Sequence, residues 1–150
     1  MAKRFQFQLQ AVLRYREMVE EQRKKEYASA NRQADEARMR REAMLADRGA
    51  IQDNIREINT SHLPFHRLLD SYRYLHALDI DLTRNAVEMV RLETVREERR
   101  QALLEARKRR RALEILKDRR QAEHAYQSGR QEQAELDEIS AQAKRRRRCS

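Results

Sequence analysis

Proline, glycine, cysteine and tryptophan are almost missing from this chain. It has one proline, two glycines, one cysteine and no tryptophan in 150 residues, and aromatics make up only 5%. So few backbone breakers exclude a loop-rich fold and a glycine-rich phosphate cradle, which needs several close glycines to bring N–H groups onto phosphates. A lone Cys149 beside the C-terminus excludes an intrachain disulfide and a cysteine-based zinc site, and it fits a reducing compartment. No apolar run is long enough for a membrane span, and the start, Met1-Ala2-Lys3-Arg4-Phe5-Gln6, lacks the apolar stretch of a signal peptide. The expectation is a soluble protein without a cleaved export signal.

What is present is charge and helix formers. Charged residues reach 39% and mean hydropathy is -1.08, too polar for a spherical core at this length. Ala, Glu, Lys, Leu, Arg and Gln lose little side-chain freedom in a helix, so an elongated all-α fold resolves the conflict. The net charge of +9 is uneven. Residues 1–61 carry 13 basic and 10 acidic groups, residues 62–98 carry 5 and 7, and residues 99–150 carry 16 and 8. The C-terminal third therefore holds most of the positive field, which an acidic protein surface, nucleic acid or anionic lipid could answer.

Tyr27, Ala30, Ala34, Ala37, Met44, Ile51, Ile55 and Ile58 recur in alternating steps of three and four, with Arg41 and Arg48 filling two slots. That is a heptad seam, which demands a partner helix and a left-handed supercoil. Leu9, Val12, Leu13 and Val19 continue it less regularly. The pattern predicts a first helix over about 8–58, a turn over about 59–65 around Pro64, and a second helix over about 66–140, followed by a basic tail over 141–150. The second seam runs through Leu75, Leu78, Leu82, Met89, Leu92, Val95, Ala102, Ala106, Leu113 and Leu116.

A short turn makes the helices antiparallel neighbours. The expected fold is a long two-stranded antiparallel coiled-coil hairpin forming one domain, with a C-terminal helical overhang. A turn centred near residue 62 sets Ile55 near Leu69, Met44 near Ile80 and Leu9 near Ile115. Fifty paired residues give a rod of about 75 Å.

No catalytic constellation emerges. His62 and His66 straddle Pro64 without further ligands at zinc spacing, His76 and His124 stand alone, and pairs such as Glu97-Glu98 read as helix ion pairs with nearby arginines. No catalytic, cofactor or metal residue is assigned, and no small-molecule substrate is expected. The aromatic and leucine cluster Phe65, Leu68, Leu69, Tyr72, Tyr74, Leu75 and Leu78 is the informative feature. Tyr72 and Tyr74, two apart on a helix, cannot both face the first helix, and an exposed tyrosine suits an interface.

Four segments in order carry a resemblance. They are Phe5-Gln6-Phe7-Gln8-Leu9-Gln10-Ala11-Val12-Leu13-Arg14-Tyr15-Arg16-Glu17, Tyr72-Arg73-Tyr74-Leu75-His76-Ala77-Leu78, Leu113-Glu114-Ile115-Leu116-Lys117-Asp118-Arg119-Arg120, and Glu135-Leu136-Asp137-Glu138-Ile139-Ser140. The chain resembles the FliJ family, small coiled-coil components of the bacterial flagellar type III export apparatus. The resemblance implies a non-enzymatic stalk and adaptor, cytoplasmic and peripherally associated with the inner membrane at the flagellar basal body. The implied partners are a hexameric export ATPase (FliI-like), an export gate protein (FlhA-like) and empty export chaperones that it escorts. On that footing Tyr72, Leu75 and Leu78 are expected to face the gate. Leu9, Leu13, Leu113, Leu116, Arg119, Arg120, Leu136 and Ile139 are expected to face the ATPase ring. The Arg145–Arg148 run exceeds the family pattern and leaves anionic membrane or nucleic acid open as a partner. Two other readings stand beside this one: the stalk of a virulence injectisome, and a basic coiled-coil nucleic-acid binder held by phosphate neutralisation.

Overall fold

A computed structural model describes residues 3–60 and 64–149. The chain forms two long helices packed against each other, a helical hairpin with no strand among the described residues. Helix α1 spans Gln10–Thr60 and helix α2 spans Phe65–Arg148. α1 opens on a turn in which the Gln10 amide donates to the Phe7 carbonyl at 3.1 Å. At its far end the Thr60 hydroxyl turns back on its own helix and donates to the carbonyls of Arg56 and Glu57. Pro64 stands outside α2 and accepts from the Arg67 amide, so the ring costs no helical hydrogen bond. The expected turn falls largely on residues 61–63, outside the described residues, as does His62.

α2 continues to Arg148, through the segment read as a basic tail. Ala141, Gln142 and Ala143 are strong helix formers, and Lys144 to Arg148 place cations where the helix dipole is negative.

The chain divides into two compact units, one of Met1–Glu21 with Glu105–Ser150 and one of Gln22–Leu104. In the second unit the helices run antiparallel: Glu26 meets Arg99, the Ala37 carbonyl meets Asn85, and Arg48 meets Asp79. Its core consists of Ala30, Ala37, Ile55 and Ile58 from α1 against Leu78, Leu82, Leu92 and Leu103 from α2. Every expected seam position from Tyr27 to Ile58, including Arg41 and Arg48, is buried or half-buried.

The unit of the two chain ends is also antiparallel, with Glu20 against Arg107 and Arg110 and Phe5 against His124. Leu13 and Ala106 are its buried apolar residues. Here the α1 seam runs Leu13, Arg16, Glu20, all buried or half-buried, rather than through Leu9 and Val12.

Three expected facing residues need correction: Leu69, Ile80 and Ile115 are exposed, so the pairs with Ile55, Met44 and Leu9 are not covered seam layers. Counting from a turn fixes the level along the axis. Each residue turns the helix by about 100°, however, so a slip of one or two positions changes the side on which a residue lies.

Candidate partner-binding surfaces

Two apolar stripes run along α2 in the Gln22–Leu104 unit. The inner one, Leu75, Leu78, Leu82, Met89 and Leu92, is buried or half-buried. The outer one recurs through Phe65, Leu69, Tyr72, His76, Ile80, Thr83, Val87, Val90 and Thr94 in steps of three and four, and every member is exposed. At 3.6 residues per turn the two stripes lie roughly 130° apart. Val87 and Val90 are 68% and 69% exposed, which is unusual for β-branched residues at heptad spacing. A helix apolar on two sides has room for a second partner besides α1.

This geometry sorts the residues expected at the gate. Tyr72 is half exposed and lies on the outer stripe. Leu75 is half-buried and Leu78 is buried in the seam, so they hold the hairpin together beneath that surface. Tyr74 is exposed as well, on another side of the helix. Charges flank the stripe as helix ion pairs, among them Arg73–Asp70, Arg84–Asp81 and Arg91–Glu88. The hydrogen bond from Arg91 holds the Glu88 carboxyl below its ordinary range.

In the unit of the chain ends, residues 3–7 are non-helical and lie along α2. The half-buried Phe5 ring meets the His124 imidazole at 5.6 Å between centroids, tilted by 56°. A cleft of about 470 Å³ lies between this segment and α2, lined by Leu9, Leu116, Arg120 and Gln127 among others. Of the residues expected at an ATPase ring, Leu13 is buried and Leu113 and Leu116 are half-buried, so all three belong to the packing of this unit. Leu9 is partly exposed, and Arg119 and Arg120 are exposed.

Residues 129–148 of α2 are exposed on every side, and they carry Leu136 at 60% and Ile139 at 62% exposure. The structure therefore brings Leu9, Leu116 and Arg120 together at one cleft, while Leu136 and Ile139 share a separate, uncovered helix face.

Sequence reasoning placed Arg41 and Arg48 in the seam but missed other polar members, Glu20 and Asn85. Glu20 is 5% exposed and clamped by Arg110 and by Arg107 at 3.4 Å. Arg110 also bonds Glu114, whose carboxyl is held low chiefly by that hydrogen bond, against a smaller opposing effect of burial. The signal was available: Leu13, Arg16, Glu20, Arg23 and Tyr27 keep the three-four step that the apolar residues alone break. Val87 and Val90 were detectable in the same way, as β-branched residues off the inner seam.

No helix among the described residues is long and apolar enough to cross a membrane. A family model described as "Flagellar FliJ protein" matches residues 5–148. No curated protein and no solved structure matches the chain.

Proposed function

The chain belongs to the FliJ family of flagellar, export-related proteins, and from that premise we propose that it is a non-enzymatic stalk and adaptor of the flagellar type III export apparatus. In this reading it binds a hexameric export ATPase, an export gate protein and empty export chaperones, and works in the cytoplasm at the inner membrane of the basal body. The family, one of non-enzymatic stalk and adaptor proteins, supports that division of labour, with ATP hydrolysis lying in the partner.

The observation that carries the reading is the pair of uncovered helix faces, the outer stripe around Tyr72, Val87 and Val90 and the exposed end of α2 with Leu136 and Ile139. Exposed apolar residues at heptad spacing are placed to be buried by other proteins. The outer stripe is assigned to the gate, with Tyr72 as its aromatic anchor and Leu75 and Leu78 supporting it from the seam. The end of α2 and the cleft beside Leu9, Leu116 and Arg120 are assigned to the ATPase ring, where Arg119 and Arg120 supply cations for an acidic lining. Arg145 to Arg148 add attraction to an anionic membrane surface.

Adding the chain to the export ATPase at two salt concentrations, while following binding and ATP turnover, tests this assignment. Saturable binding with altered turnover that survives high salt supports an apolar contact. Absence of binding at both concentrations contradicts it.

A further inference from the structure

The exposed end of α2 is built in two blocks of opposite charge. Between Gln131 and Ala143 the only charged residues are Glu132, Glu135, Asp137 and Glu138, and the next five are Lys144, Arg145, Arg146, Arg147 and Arg148. The four acids form no ion pair among the described residues; Asp137 and Glu138 accept only amide hydrogen bonds, from Gln133 and Gln142. A third feature joins these blocks. Gly129, Glu132, Leu136, Ile139, Ala143 and Arg146 keep the three-four step of a seam, all exposed, and nothing lies within 4 Å of the Gly129 Cβ direction.

We propose that this segment is a self-association site, on which the same segment of a second copy packs antiparallel. Antiparallel pairing about a two-fold near Ser140 and Ala141 sets the acidic block of each copy on the basic block of the other. A parallel pairing would set like charges side by side. The same two-fold faces Ile139 with Ala143 and Leu136 with Arg146, whose aliphatic stem covers the leucine while its guanidinium reaches water. Such an interface is isologous and closes at a dimer. The overlap of some 18 residues is about 27 Å long. With two large apolar side chains per copy it is weak and depends on charge, so it yields to a better partner. It would cover Leu136 and Ile139 until one binds. The inference stands independently of the ATPase assignment, because self-association and ATPase binding are read in separate experiments.

Sedimentation equilibrium of the full chain tests it. At low salt the chain is expected to dimerise reversibly at tens of micromolar. The affinity should fall at least tenfold near 1 M salt, where screening acts within about 3 Å. Two variants reverse the blocks. One carries Arg145→Glu, Arg146→Glu, Arg147→Glu and Arg148→Glu, and the other carries Glu132→Lys, Glu135→Lys, Asp137→Lys and Glu138→Lys. Each alone should be monomeric, and an equimolar mixture should give a one-to-one dimer. Leu136→Gln with Ile139→Gln should also abolish the dimer while circular dichroism retains the helix. A short bismaleimide should link copies carrying Ser140→Cys with Cys149→Ser, at the two-fold, and should not link natural chains through Cys149. A natural chain that stays monomeric at low salt overturns the proposal. So does a dimer that either block reversal leaves intact, or a mixture of folded variants that fails to pair.

Discussion

Asn85 reaches across the hairpin from α2 and donates through Nδ2 to the backbone carbonyl of Ala37, 3.1 Å away. Ala37 is fully buried and Asn85 nearly so, at 0% and 8% exposure, and the Asn85 Oδ1 has no partner. A small residue on α1 lets the amide approach the opposite backbone. A buried amide in the seam then favours a single register, because a slip breaks its bond to the Ala37 carbonyl.

Asn85→Leu removes the unsatisfied oxygen and adds apolar contact. The variant is expected to gain about 1 kcal/mol in denaturant unfolding. It should also lose register uniqueness, seen as additional crosslinked products between cysteines placed on α1 and α2. A variant that is destabilised and keeps one register would show that the amide contributes packing rather than specificity.

Glu20 makes a comparable commitment in the other unit, where Arg107 and Arg110 close on a carboxylate almost removed from water. Glu20→Ala is expected to cost about 1 kcal/mol, since it removes a buried partner from Arg110, which keeps Glu114, and from Arg107, which can turn to water. Glu20→Leu should recover most of that loss by filling the seam position. Urea unfolding followed by circular dichroism distinguishes the two.

Acid should weaken the hairpin. Glu26, Glu88, Glu97 and Glu114 all have carboxyls held below their ordinary value of 4.5, the first by hydrogen bonding from Arg23, the second from Arg91, the third from Gln101 and the fourth from Arg110. A depressed folded value means that the unfolded chain binds more protons in this range. The stabilisation is therefore complete above 4.5 and is lost as pH falls through the lower folded values. Melting temperature should be flat from neutrality to about pH 5 and decline below it. Glu114→Gln should shallow that decline; an unchanged slope would contradict the assignment for this residue.

Gly49 lies inside α1 with nothing within 4 Å of an added Cβ. Gly49→Ala should stabilise the chain by about 0.5–1 kcal/mol through backbone entropy alone. Thermal melting checks it, and a lower melting temperature would indicate a packing role that the open space does not show.

Much of this was legible from apolar spacing. The seam from Tyr27 to Ile58 and its counterpart from Leu75 to Leu116 identified a hairpin because heptad spacing on helix-forming residues has few other solutions. Glu20 and Asn85 were not legible, since a charged or amide side chain in a seam slot looks like the solvated surface around it. The two valines of the outer stripe were passed over for a different reason: their place off the inner seam can be read from their spacing, but their exposure of 68% and 69% cannot. Tyr72 survives as a surface residue. Leu78 is buried in the seam instead, because the six residues between them turn the helix by about 600° and leave the two side chains about 120° apart.

The central claim is that one hairpin carries two separate binding faces, and paired surface variants test it most directly. Tyr72→Ala with Val87→Gln and Val90→Gln should abolish binding to the gate protein and leave ATPase binding and helicity unchanged. Leu136→Gln with Ile139→Gln should weaken ATPase binding at least tenfold and leave gate binding unchanged, a loss of about 1.4 kcal/mol or more. If both sets lose both partners, or neither set loses either one while the helices stay folded, the two-face account is wrong.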